Sequence, residues 1–415
     1  MTDRRLGQAQ ALGRHREAPF VRHGNERADL SEIREEFTHE TASSKISTLL
    51  QHRSCQGGKL GTVRAFESLM PLSSTQNRPP IRLGFVPLSD CAPLAVACET
   101  GLFERYGVNV QLIRLPGWAT VRDMLFFGEL DAAEAIAGLA FSLTLGIGHL
   151  RRDVCVPLIL SGHGNAITLS KRVPPEIIGS GEGLAGFITH RWKENRPFTL
   201  AAAHRFSSHH LLLQSWLKQH GVRPGTDVEI VFLPPPLMPG HLASGHLDGY
   251  CVGEPWNSES ILTGEGWCVA TSSQIASGHP EKVLVVSGEM SGERRPELLA
   301  LTAALLHACR LCQSRSFRDE MIRILASEKY TGASEAALRN SLGPTFDTGN
   351  GLLDASSFHL FHGTDLNTPT PDKASWFLAG MRAADLLPDS TAGASLTRIY
   401  RHDLFRAASE LLLPA

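Results

Sequence analysis

The chain has 415 residues, 42% apolar, 20% charged and 7% aromatic, which supports two or three domains with cores and excludes a wholly disordered or fibrous protein. Forty Lys/Arg against forty-two Asp/Glu leave a net charge of -2, so no global field draws the chain to nucleic acid or to an anionic membrane. The richest apolar runs, such as Leu298–Leu306, fall well short of the ~20 residues of a membrane span. The first residues lack the apolar run of about 7–15 that a secretory signal needs. Eight cysteines without disulfide-rich spacing read as reduced thiols, which predicts a cytoplasmic protein.

Residues 1–79 hold 12 Lys/Arg against 9 Asp/Glu with no sustained periodicity, and read as an N-terminal extension with a short helix over Asp29–Phe37 and a linker over Ser73–Pro80. From Ile81 the pattern becomes strand (IRLGFVP), helix (CAPLAVACETGLFERYG) and strand (VNVQLIR). Ser89 and Asp90 are N-cap candidates for that helix, and Gly107 closes it. An internal echo follows. Leu115-Pro116, a helical stretch and Gly128-Glu129-Leu130-Asp131 return as Leu233-Pro234, a helical stretch and Gly245-His246-Leu247-Asp248, with Pro-to-Gly spacings of 12 and 11. Each copy reads as a βαβ unit, so the pattern predicts two similar α/β lobes.

NAITLSK and FTLAAA read as strands separated by a polar excursion, Arg172–Arg196. The chain is expected to leave the first lobe near here and to return around Thr271–Glu281. The expected division is 1–79 extension, 80–171 with 275–415 as a discontinuous first lobe, and 172–274 as the second. Pro296–Ser314, Phe317–Glu328, Ala333–Leu342, Ala374–Leu387 and Leu396–Leu412 read as helices covering the first lobe. Cys309-x-x-Cys312 is one isolated pair at i, i+3 in an apolar helix, which favours packing over metal or redox chemistry.

Four stretches, LGFVPLSDCAP (Leu83–Pro93), PGWATVRDMLFFGELD (Pro116–Asp131), GNAITLS (Gly164–Ser170) and DGYCVGEPWN (Asp248–Asn257) with HPEK (His279–Lys282), carry a family resemblance. In this order and density the chain resembles the nitrate- and bicarbonate-binding proteins of ABC importers and their cytoplasmic relatives, the nitrate/nitrite sensors of assimilatory nitrate reduction. The likeness runs from about Pro80 to the C-terminus. It implies a type II periplasmic-binding-protein fold, two α/β lobes with a ligand cleft between them, where helix N-termini favour a small anion.

The resemblance places the anion site at Trp118, whose indole would pack on a planar anion, and at Asn165, a hydrogen-bonding amide where some relatives have Gln. It adds His209, with the adjacent His210 as the alternative register, and Lys282 as a point charge. A pocket histidine near its reference value of about 6.5 would make affinity fall as pH rises. Glu254 in EPWN is expected in a structural turn or lobe contact, since an anion pocket disfavours an unpaired carboxylate.

No GxxxxGK[ST] loop, HExxH helix or GxSxG elbow is present, so neither an enzyme nor a cofactor or metal is expected. The resemblance implies a nitrate or nitrite sensor that holds an RNA-binding antiterminator of the ANTAR class inactive until the anion binds, contacting RNA only through that partner. The alternative is the substrate-binding component of an ABC-type nitrate/bicarbonate or sulfonate importer. The lack of an apolar run before Cys55 favours the sensor.

Overall fold

The computed structural model describes residues 79–180, 183–387 and 396–414, all within one compact unit, Glu67–Ala415. The expected extension, with its helix over Asp29–Phe37 and Cys55, lies outside the described residues. In chain order the strands are β1 (Ile81–Phe85), β2 (Val110–Arg114), β3 (Ala132–Ile136), β4 (Val154–Ile159), β5 (Gly162–His163), β6 (Asn165–Ser170) and β7 (Thr199–Ala202). They continue with β8 (Glu229–Phe232), β9 (Gly249–Gly253), β10 (Gly266–Thr271), β11 (Lys282–Ser287), β12 (Thr345–Asp347), β13 (Leu352–Asp354) and β14 (His359–Leu360).

The two main sheets share one plan. The first is ordered β2-β1-β3-β11-β4, and the second, read from its far edge, β8-β7-β9-β6-β10. In each, three strands are parallel, and the fourth, β11 or β6, runs antiparallel to both its neighbours. β6 to β10 follow one another in the chain and all lie in the second sheet, so β11 joins the first sheet only after the whole of the second has passed. The second sheet is therefore one continuous segment, and the first is completed by a strand that returns from beyond it.

The sequence echo is a structural repeat. Gly128 and Gly245 both stop a helix at positive φ, 72° and 80°, a conformation in which a side chain would be strained. The following aspartates then make the same pair of bonds. Asp131 N donates to Arg82 O (3.0 Å) and Asp248 N to Thr199 O (2.8 Å), while Arg82 N donates to Asp131 Oδ2 (2.8 Å) and Thr199 N to Asp248 Oδ2 (2.9 Å). An arginine neutralises each carboxylate, Arg82 for Asp131 and Arg191 for Asp248. Each aspartate pins the start of its strand to the preceding parallel strand.

Two expectations need correction. The chain passes between the sheets at residues 160–164 and not at 171, because β6 pairs with β9 and β10; apolar alternation marks a strand without saying which sheet receives it. The excursion Arg172–Arg196 holds the helices Glu176–Gly179 and Gly183–Lys193. The second buries Leu184 and Ile188 against the second sheet's core, a stripe too narrow to read in a Gly-rich, charged segment.

Beyond β11, the helices Arg295–Gln313, Arg318–Ala326 and Glu335–Leu342 cover the first sheet. Cys309 and Cys312 sit in that core beside Cys91, and burial pushes all three thiols up, as for inert packing groups. A second core joins both sheets, with Trp118, Ile136 and Ala137 packed in one cluster with Phe206, Met238, Tyr250 and Val252. The two halves approach so closely that a Cβ on Gly138 would lie 1.9 Å from the Phe206 carbonyl oxygen.

Candidate functional site

The parallel strands β1, β2, β7 and β9 end toward the seam between the sheets, the position where open α/β sheets place their ligand groups. β1 leads into the short turn Ser89–Cys91, which carries Asp90. Leu115-Pro116-Gly117 follow β2 and set Trp118 as the first residue of the helix Trp118–Phe126. From β7 the chain runs into the helix Ser208–Gln219, capped by Ser207, whose side chain accepts from His210 N. β9 ends at Gly253, followed by Glu254 and a cis bond to Pro255.

The four expected site residues are all buried, and the seam brings them together. Lys282 opens β11, fully buried, with its ammonium 5.7 Å from the centre of the Trp118 ring. Trp118 Nε1 has no hydrogen-bond partner. Asn165 opens β6 and donates through Nδ2 to Glu281 Oε2 (2.6 Å), while its Oδ1 is unpartnered. His209 Nε2 stands 3.7 Å from Glu281 Oε1, and neither ring nitrogen has a hydrogen bond. His210 points elsewhere: its Nδ1 pairs with Arg205 O (2.8 Å) and its Nε2 with Gln214 (2.8 Å). Of the two registers, His209 is the one that faces the cluster.

Sequence reasoning missed the groups that surround these four. Asp90 does not cap its helix; its Oδ1 accepts from Ser161 Oγ (2.6 Å) and its Oδ2 from Lys282 Nζ (3.1 Å). Glu281 accepts from Lys282 Nζ (2.8 Å) and from Ser208 Oγ (2.7 Å). His359, on β14, lies 3.4 Å from Asp90 with both ring nitrogens free of hydrogen bonds. Its ring stacks on Phe361 and rests against Gly164, where a Cβ would come within 2.9 Å of it. Glu254 makes the expected lobe contact, accepting at its backbone oxygen from Ser89 N (2.7 Å), while Trp256 Nε1 reaches Pro87 O (2.8 Å).

Burial opposes every charge in this cluster, and the partners decide which survive. For Lys282, desolvation is overcome by Asp90, Glu281 and Glu134, which together hold its pKa above the ordinary lysine range. Desolvation of Asp90 is likewise overcome by Lys282, His359 and Ser161, which hold the carboxyl below the usual range. Glu134, on β3, is pushed by burial up to about 8, with Asp90 adding to the rise and Lys282 opposing it. Burial and then Lys282 lower His209 to about 3, and burial and then His163 lower His279 to about 3. His209 is thus neutral across roughly pH 6 to 8.5, and the pH response expected of a pocket histidine near 6.5 does not arise from this ring.

Glu134 is one of two buried carboxyls raised toward neutrality; the other, Glu254, is pushed by burial up to about 7. The folded pKa of Glu134 is raised, so its contribution to stability is complete below the unfolded value of about 4.3 and is lost as pH rises through about 8. Glu134→Gln is expected to flatten this decline. In urea unfolding between about pH 5 and 9, the wild type should lose on the order of a few kcal/mol more than the variant. Parallel pH profiles would contradict the assignment.

Two α/β lobes of one plan, the first completed by a strand returning from beyond the second, that gather buried donors from both along their seam define a two-lobed binding protein. Solved structures place the fold among periplasmic binding proteins: the periplasmic nitrate-binding protein NrtA of Synechocystis PCC 6803 superposes with a TM-score of 0.76, at 24% identity, over 81% of this chain and 89% of that one. The chain belongs to the NMT1-like family, which residues 74–326 match. Among curated relatives, the nitrate import ATP-binding protein NrtC of Synechocystis is 36% identical over 84% of this chain and 52% of that protein, so the chain spans about half that relative's length. The nitrate/nitrite binding protein NrtA of Synechococcus elongatus is 29% identical over 80% of this chain and 78% of its own.

Proposed function

We propose that the chain binds nitrate or nitrite in the seam between its lobes, as the anion-binding part of an importer of the kind its relatives belong to. One observation carries this reading: Trp118, Asn165, His209 and Lys282 converge from both lobes in a buried site, with the indole N–H and both His209 nitrogens unpartnered. Buried polar groups are normally paired, so unspent donors beside a buried ammonium suit a small planar acceptor. Kinship with NrtA proteins, named for nitrate and nitrite binding, and with the import protein NrtC supports the same ligand and favours the importer role.

The second reading is a cytoplasmic nitrate/nitrite sensor that restrains an ANTAR-type antiterminator; it rests on the sequence resemblance alone. Two or three charge-assisted hydrogen bonds of about 1.5–3 kcal/mol each, less ordering costs, give affinity near micromolar in either role.

The test is thermal unfolding in nitrate, nitrite, bicarbonate, sulfate and a short alkanesulfonate. At about 100 times its dissociation constant a ligand stabilises by about 2.7 kcal/mol. A rise of a few degrees confined to nitrate or nitrite and lost in Trp118→Ala is the expected result. No shift with either anion would refute the reading. Co-purification with a membrane-transporter ATPase or with an RNA-binding protein separates importer from sensor.

A further inference from the structure

The donors assigned to the anion do not face an open space; they face a carboxylate of this chain. Glu281 is fully buried. Its Oε1 accepts from Lys282 Nζ (2.8 Å) and lies 3.7 Å from His209 Nε2, and its Oε2 accepts from Asn165 Nδ2 (2.6 Å). Ser208 Oγ, in the first turn of the same helix as His209, lies within 2.7 Å of both oxygens. Three of the four residues assigned to the anion therefore converge on Glu281.

A carboxylate and a nitrite or nitrate ion present the same feature to such donors, a planar pair of oxygens sharing one negative charge. The backbone of Glu281 is held in place by its N–H, which donates to Ser161 O (2.9 Å), while its side chain has rotatable bonds that let the carboxylate leave without unfolding β11.

We propose that Glu281 is a tethered occupant of the anion site: its carboxylate takes the donors of Lys282, Asn165 and Ser208 beside the unpartnered His209 ring, and anion binding proceeds by exchange with it. This rests on the anion-binding reading above. The exchange sets affinity, because the incoming anion gains only the difference between its own contacts and those of the side chain it displaces. It also holds the lobes together from within, since Ser208 and Asn165 belong to one lobe and Glu281 with Lys282 to the other.

Calorimetric titration of the wild type, Glu281→Gln and Glu281→Ala with nitrate and with formate tests the exchange. Both variants are expected to bind nitrate at least tenfold more tightly than the wild type. Glu281→Ala should also bind formate, a free carboxylate replacing the lost one, in competition with nitrate. Nitrate affinity equal to or weaker than wild type in both variants would overturn the exchange while leaving the anion site standing. No nitrate or nitrite binding by any of the three would overturn both. Should the variants fail to fold, nitrate-induced difference infrared spectra of the wild type give the answer: a shifted carboxylate stretch supports exchange, and an unchanged carboxylate region overturns it.

Discussion

Lys282→Met is expected to abolish nitrate binding and to lower unfolding stability by about 3–5 kcal/mol at pH 7, the cost of leaving buried charges without their partner. The ammonium is bound to Asp90 (3.1 Å) and Glu281 (2.8 Å), and all three side chains are shut off from solvent. The sign of the pH dependence follows from Asp90, whose folded pKa lies below its unfolded value. Its contribution is present above about pH 3.9 and is lost as pH falls through the folded value. Without Lys282 that contribution disappears, and protonation then relieves the variant, so its deficit should narrow as the pH approaches 4. Denaturant unfolding at pH 7 and pH 4.5 checks this. A deficit below about 1 kcal/mol, or one equal at both pH values, would contradict the assigned role of the ion pairs.

Gly138→Ala is the second large effect. The new Cβ would meet Phe206 O at 1.9 Å and its carbonyl carbon at 2.9 Å, backbone atoms that cannot rotate aside. Phe206 lies two residues before Ser208, so relief of the clash shifts the N-terminus that carries Ser208 and His209 away from Glu281 and Lys282. Overpacking of this kind costs about 1–3 kcal/mol. The expected outcome is nitrate affinity weakened at least tenfold and a larger radius of gyration by small-angle scattering. Phe206, the residue the new Cβ meets, belongs to neither the first nor the third core, and these should keep the variant folded. Affinity within twofold of wild type would show that the halves need not meet here.

Much of the fold was legible because the chain repeats itself. The GELD and GHLD stops recur at nearly equal spacing, and both aspartates prove to pin a strand through the same two bonds. Trp118 and Lys282 stood out as large or charged residues at element starts within family-like motifs. The carboxylates of the site did not. Asp90 precedes a helix and fits the pattern of a cap, while its real partners, Ser161 and Lys282, lie 71 and 192 residues away. Glu281 was not singled out inside HPEK, where only Lys282 was read as a site residue, although a buried lysine requires acidic partners. His359 lies on a two-residue strand, too short for any periodic signal, and reaches the cluster only through its pairing with His163. His209 and His210 share a helical turn, and side chains one residue apart point about 100° apart, so only packing separates them.

The late return of β11 bears on how the molecule is made. β3 and β4 stand as neighbours of β11 in the first sheet, yet β11 begins 123 residues after β4 ends, once all of the second sheet has been synthesised. Until then both strands carry open hydrogen-bonding edges, the kind of surface on which chains pair wrongly with one another. The second sheet has the converse order: β6 emerges first and waits for β9 and β10 to flank it. The second sheet is complete within its own continuous segment, whereas the first is completed only when β11 arrives, and that arrival delivers Glu281 and Lys282 to the seam in the same step.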